Sequence, residues 1–264
     1  LLLSSAASDV YKRQIKGSAV VLRRVESIVP EMEQLNLPPV LYDAVDMHKG
    51  LVLVTGPTGS GKTTTIASII NEINKTRKAN IITVEDPVEF IHKDKLSIIS
   101  QREVGKHTQS FSNSLRAALR EDPDIIFVGE LRDLETISLA MTAAETGHVV
   151  FGTLHTSGAP ETINRIIDVF PPEQQSQIKA QISNSVKMVL TQRLVKSKDG
   201  LNRFAAFEVM KCTPPIQNLI REGKVHQIPS VIQTSAKDGM IEMKKSLEDL
   251  IRAGKIDGTA AKEE

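Results

Sequence analysis

Gly56-Pro57-Thr58-Gly59-Ser60-Gly61-Lys62-Thr63 places glycines, hydroxyls and a lysine at the spacing G-x-x-x-x-G-K-[ST]. Glycines at these places let backbone N–H groups curl around an anion, and the first turn of a following helix attracts the same charge. In such a loop Lys62 reaches the β- and γ-phosphates of a nucleoside triphosphate, and Thr63 offers its hydroxyl to Mg²⁺. The apolar run Leu51-Val52-Leu53-Val54 precedes the loop and Thr64-Thr65-Ile66-Ala67-Ser68-Ile69-Ile70 follows it. That order, strand then turn then helix, sets it apart from a glycine-rich turn that carries Lys-Thr by coincidence, and makes residues 56–64 the candidate nucleotide-binding segment.

Phosphoryl chemistry at such a loop needs a carboxylate near the metal and the attacking water, usually at the end of a neighbouring strand. Two stretches supply one. Asp122-Pro123-Asp124-Ile125-Ile126-Phe127-Val128-Gly129-Glu130 reads as a buried strand whose Gly129 lets the backbone pass close to the nucleotide before Glu130 is presented. Ile82-Thr83-Val84-Glu85-Asp86-Pro87 reads as a second strand ending in adjacent acids. Either acid alone is ordinary at a strand-to-loop junction, but the carboxyl ends of parallel strands are where such sheets bind ligands. Glu130 and Glu85 are therefore the candidates for activating water and, with Thr63, for holding Mg²⁺ partly through water; which of the two is the base stays open. His155, just beyond the carboxyl end of the strand in Gly147-His148-Val149-Val150-Phe151-Gly152-Thr153-Leu154-His155, could donate a hydrogen bond to the γ-phosphate and report its loss. His148 reads as a core or surface residue. With no third ligand at suitable spacing, a metal centre built on histidine is not expected.

The elements that must position these residues follow from pattern. Apolar runs alternate with helical patterns from Val40 onward, the signature of a parallel sheet with covering helices. Strands are predicted at Leu51–Val54, Ile81–Val84, Ser97–Ser100, Ile125–Val128 and Val149–Thr153. Ile66, Ile69, Ile70 and Ile73 keep one helical face apolar, as do Phe111, Leu115, Ala118 and Leu119. A third helix runs from Leu134 to Glu145, with Asp133 as N-cap and Gly147 at C′. Pro171-Pro172 opens a longer helix carrying Ile178, Ile182, Val186, Val189 and Leu190. An antiparallel hairpin of Thr191–Lys196 with Arg203–Met210 turns at Lys198-Asp199-Gly200. Small helices follow to Lys255, and Ile256–Glu264 reads as a frayed tail.

The opening Leu1–Gln14 has no clear period and resembles translated adapter sequence, so it is left out of the fold. Ser18–Val25 reads as a strand and Pro30–Pro39 as a polar connection with a short helix. Residues 15–39 are thus expected to be the last strand of a truncated N-terminal domain plus a linker, and residues 40–264 the main domain with C-terminal helices.

Composition narrows the function. The 264 residues hold 33 Lys plus Arg against 32 Asp plus Glu, a formal charge of +1, which argues against nucleic-acid binding by a basic face. Aromatic residues are 3% of the chain, too few for base-stacking platforms. The lone Cys212 rules out an internal disulfide or a four-cysteine zinc site and reads as a small apolar filler. No apolar run approaches the ~20 residues of a membrane span, and a cytoplasmic protein is expected.

Together these segments carry a resemblance. The phosphate loop, Thr83-Val84-Glu85-Asp86-Pro87, the stretch from Asp124 to Gly129-Glu130-Leu131-Arg132-Asp133, and Thr153-Leu154-His155-Thr156 stand in the order of the Walker A, Asp, Walker B and His boxes of the type II and type IV pilus secretion ATPases. The match covers about Val40 to Phe170. Gln101-Arg102-Glu103-Val104, the run from Leu115 to Asp124, and Ile216-Gln217-Asn218-Leu219-Ile220-Arg221-Glu222 resemble the twitching-motility (retraction) branch, although its Ala-Ile-Arg-Asn-Leu-Ile-Arg-Glu motif is changed here at Pro215 and Gln217. The resemblance implies an α/β, RecA-like P-loop NTPase core that hydrolyses ATP with Mg²⁺. It also implies a hexameric ring working on an inner-membrane pilus platform protein, peripheral at the inner membrane, without nucleic acid. It places an arginine that crosses to a neighbour's nucleotide near Arg23 or Arg24; an exposed strand-end charge is the alternative for both. A pilus-extension or type II secretion ATPase, a nucleic-acid translocase of the same fold, and a chain that binds ATP without hydrolysing it are the other readings.

Overall fold

A computed structural model of the chain describes residues 12–14, 17–19 and 28–258. Lys12–Gln14 (β1), within the segment set aside above, and Gly17–Ala19 (β2) form a two-stranded antiparallel ribbon. Of the strand expected at Ser18–Val25, only Ser18 and Ala19 fall in the described residues; Arg23 and Arg24 lie outside them.

Among the described residues the main sheet has seven strands: Gly50–Thr55 (β3), Asn80–Glu85 (β4), Ile98–Glu103 (β5), Ile125–Val128 (β6), Val149–Leu154 (β7), Val186–Lys196 (β8) and Arg203–Lys211 (β9). Their order is β5-β4-β6-β7-β3-β8-β9, parallel throughout except for the antiparallel β8–β9 pair. The interior strand β3, between β7 and β8, is buried on both faces, and its alternation divides the core. Leu51 and Leu53 pack with Ile126, Val128 and Val150 on one side, while Val52 and Val54 pack with Phe127, Phe151 and helix Lys62–Thr76 (α2) on the other. The predicted Ile66, Ile69, Ile70 and Ile73 face is what α2 buries against the sheet. Phe111–Ala118 (α3) and Leu134–Glu145 (α4) cover the first side. Asp133 caps α4 as expected, accepting from Thr136 N at 2.9 Å, and Gly147 follows the helix at φ 112°.

Three expectations change. The helix opened by Pro172 stops at Ser185 (α6, Pro172–Ser185), and Val186, Val189 and Leu190 belong to β8. Their spacing fits a helical face or a doubly buried strand equally well, and pairing with β3 decides for the strand. No helix forms in Pro30–Pro39; residues 32–36 turn, with Asn36 at φ 51°, and only a single 3₁₀ turn starts at Pro39. Ile256 is not frayed. It is 2% exposed and packs with Val195, Ala206 and Leu247, and Lys198 N donates to Lys255 O at 3.1 Å.

The sequence assigned no element to Ala159–Asp168 (α5), where Pro160 stands in the first turn and Ile163, Ile166 and Ile167 are buried. The expected small C-terminal helices are Pro214–Arg221 (α7), Ile228–Thr234 (α8) and Met243–Arg252 (α9). Between β1 and α2 there is also a single turn, Tyr42–Val45 (α1). No helix among the described residues is long and apolar enough to cross a membrane.

Candidate active site

The loop between β3 and α2 owes its path to glycine. Gly56, Gly59 and Gly61 have φ of 139°, 79° and 88°, a region that side chains strongly disfavour. Gly61 is the N-cap of α2 and supplies no capping side chain, so the first-turn N–H groups of the helix remain available to an anion. This is the fit expected for a phosphate chain. The Lys62 ammonium lies along the loop, donating to Gly56 O at 2.7 Å and to Pro57 O at 2.9 Å. Burial pulls its pKa below the ordinary lysine value, against the opposing pull of the Glu130 and Glu89 carboxylates.

The tips of β4, β6 and β7 converge on this loop. His155 stands just past β7, with Nδ1 3.4 Å from Lys62 Nζ and 3.5 Å from Thr58 Oγ1, and Nε2 3.4 Å from Glu130 Oε1. An ammonium can only donate, so Nδ1 acts as the acceptor; the tautomer with its proton on Nε2 then serves Lys62 and Glu130 at once. Arg132 Nε holds the same Glu130 oxygen at 2.5 Å. The result is a chain of polar contacts, Lys62–His155–Glu130–Arg132, along one wall of a cavity of about 570 Å³ that Gly59, Thr63 and Thr64 also border.

Glu85 ends β4 and is buried. Its Oε1 accepts from Thr83 Oγ1 at 2.7 Å and from Gln101 Nε2 at 3.2 Å. Burial nonetheless pushes its pKa above the ordinary carboxylate value. Glu85, Glu130 and Thr63 border one smaller hollow of about 70 Å³, so both sequence-predicted acids reach the loop. Among the described residues no three His, Cys, Asp or Glu side chains make a metal cage.

Gly129 borders both hollows beside the loop, and the room it leaves also serves the sheet. A Cβ there would meet Val84 O at 3.1 Å and Glu85 Cα at 3.3 Å, so the glycine lets β6 close against the end of β4. His148, as expected, serves structure, with Nδ1 3.0 Å from Ala143 O. Cys212 is buried, and its thiol is pushed up to about 11 by desolvation, which keeps it unreactive.

Sequence reasoning missed Arg132, which was read only as part of a motif, and the contribution of the β8–β9 hairpin. Leu194 and Arg203 border the cavity, and Gln192 contacts the loop itself. The signal available was Thr191-Gln192, an uncharged polar pair that follows the apolar run Met188-Val189-Leu190 and is buried with it. A second cavity, about 750 Å³, shares Gly61, Thr64, Leu194 and Arg203 with the first and continues to Leu35, Pro38 and Phe204.

Comparison with known proteins agrees with this geometry. The family model described as type II/IV secretion system protein matches residues 13–223. The chain belongs to the type II/IV secretion system protein family. Within this family it is 51% identical over 247 residues to the twitching motility protein of Neisseria gonorrhoeae, covering 94% of this chain and 66% of that protein. It is 50% identical over 250 residues to the type IV pilus retraction ATPase PilT of Pseudomonas aeruginosa, covering 95% of this chain and 72% of that one. The crystal structure of the pilus retraction motor PilT with bound ADP superposes with a TM-score of 0.89 at 47% identity, over 95% of this chain and 71% of that chain. The fold is thus the α/β, mostly parallel sheet of the family's ATPases.

Proposed function

We propose that this chain is a subunit of an ATP-hydrolysing motor that powers type IV pilus retraction. The observation that carries the reading is the convergence of Lys62, His155 and Glu130 on a glycine loop that opens an uncapped helix. Relatives named for twitching motility and pilus retraction, about half identical over nearly the whole chain, supply the biological context. The loop amides and Lys62 cradle the phosphates, and base and ribose extend into the second cavity beside Leu194 and Phe204.

Glu130 positions or deprotonates the attacking water, held in place by Arg132. His155 links that carboxylate to the loop, and would serve the γ-phosphate by turning its Nε2–H from Glu130 to a phosphate oxygen, which can only accept. Glu85, buried and hydrogen-bonded to Thr83 and Gln101, would orient water near the metal. Thr63, with Glu85 and Glu130 partly through water, would hold Mg²⁺, which neutralises charge on the β- and γ-phosphate oxygens. Assembly into a hexameric ring, an arginine from the Arg23–Arg24 region reaching a neighbour's nucleotide, docking to an inner-membrane pilus platform protein and a cytoplasmic location at that membrane complete the reading.

Glu130→Gln is expected to bind ATP as the wild type does and to lose hydrolysis, measured by nucleotide affinity and phosphate release. Surviving hydrolysis would remove Glu130 from its role and hand the base to Glu85. Deleting the gene tests the biological half: cells should keep surface pili and lose retraction, whereas bald cells would mean an extension motor.

A further inference from the structure

We propose that Gln192 is a positioning residue for the phosphate-binding loop, tying β8 to the loop and to the helical turn behind it; the inference rests on the nucleotide reading above. Its side chain is 4% exposed in the sheet interior. A buried amide is costly unless both ends are bonded, and here both are. Gln192 Oε1 accepts from Thr65 Oγ1 at 2.7 Å, and Gln192 Nε2 donates to Ser60 O at 2.7 Å. The orientation has no alternative, because turning the amide over would set Oε1 against the Ser60 carbonyl, two acceptors facing each other.

The two partners lie on either side of Gly61, Lys62, Thr63 and Thr64. The amide therefore bridges the segment whose N–H groups must converge on an anion. The glycines of the motif make space for it. A Cβ at Gly56 would stand 2.2 Å from Gln192 O, and one at Gly61 would stand 2.8 Å from Gln192 Nε2. One residue earlier, Thr191 Oγ1 and Thr55 Oγ1 are 2.9 Å apart, locking the same strand to the end of β3.

The strand that carries the amide is braced from behind. Gln192 pairs with Phe207 on β9, and Phe207 N donates to Ser246 Oγ of α9 at 3.0 Å. Gln192 touches loop atoms, so it acts through the shape of the loop. A loop held in its binding form spends no binding energy on ordering.

The test uses the full chain in three measurements: amide hydrogen exchange over residues 59–64 without nucleotide, affinity for a fluorescent ADP analogue, and thermal midpoint. Gln192→Leu keeps the volume and removes both bonds. It should weaken ADP binding roughly tenfold to a hundredfold and speed exchange across 59–64 while leaving β4 and β6 protected. Thr65→Val should do less of the same. Combined with Gln192→Leu it should add little, because the two changes remove one shared bond. If Gln192→Leu does not fold, Thr65→Val and Gln192→Glu, which sets a carboxylate against Ser60 O, carry the same expectations. Wild-type affinity with unchanged loop exchange in these variants, or losses that simply add, would overturn the proposal. A wild-type protein that fails to bind ADP would defeat the nucleotide reading instead. The exchange measurement would still decide whether Gln192 holds the loop, slow exchange in the variants refuting it.

Discussion

At the scale of single residues the site is built from groups that cannot be exchanged for near relatives. Gly56 combines φ 139° with backbone 2.2 Å from where a Cβ would sit. Gly56→Ala should therefore lower the thermal midpoint and abolish nucleotide binding together, whereas Gly59, at φ 79° with open space around it, should tolerate alanine better. Thermal scans with and without ATP would compare the two. His92 gives a pH signature. Burial, reinforced by the Lys95 ammonium, lowers its pKa from 6.5 to about 4. As pH falls below 6.5 the unfolded chain takes up a proton that the folded protein refuses until about pH 4, so stability contributed by the neutral imidazole is lost across that window. His92→Gln should remove this part of the acid-side loss. Denaturant midpoints of variant and wild type from about pH 7 to about pH 4.5 would converge or cross; parallel curves would contradict the assignment. Lys62, Thr63, Glu85, Glu130 and His155 were legible because their types and spacing carry chemistry. Arg132 and Gln192 were not, because their partners are fixed by folding: Gln192 lies 132 residues from the Ser60 carbonyl it binds.

At the scale of elements, local signals were reliable where they were self-contained. Asp133 caps α4 through two bonds, to Thr136 N at 2.9 Å and Thr136 Oγ1 at 2.8 Å. Asp133→Ala should cost about 1 kcal/mol in chemical denaturation and leave ATP turnover nearly unchanged, since the cap lies beyond Arg132. The strands at Leu51, Ile81, Ile125 and Val149 were each found within a residue of their observed ends, because doubly buried strands advertise themselves as largely apolar runs. The boundary between α6 and β8 was misplaced because Val186, Val189 and Leu190 satisfy both periods. Only the neighbouring strand β3 distinguishes them.

At the scale of the whole molecule, the C-terminal region braces the nucleotide site. The outward edge of β9 is covered by α9 and by Ile241, whose N and O both pair with Val209 at 3.1 and 2.8 Å. Ile256 closes the small cluster that holds α9 on the hairpin. Ile256→Ala should cost about 2–4 kcal/mol by denaturant unfolding, and a frayed tail would show no effect. Saturating ATP should raise the stability of the folded chain by about 2.7 kcal/mol at a hundredfold excess over the dissociation constant, read as an upward shift of the thermal midpoint that Lys62→Ala abolishes.

The amino-acid order alone determined the chemistry on offer: an anion-binding turn, two strand-end acids and a histidine, on a parallel sheet announced by its apolar runs. These are short-range properties, carried by neighbours along the chain. The tertiary structure decided which groups meet. It set Glu130 between Arg132 and His155, buried Glu85, and ran β8 beside β3 so that Gln192 reached the loop. Such pairings depend on strand order and register, which no local pattern encodes.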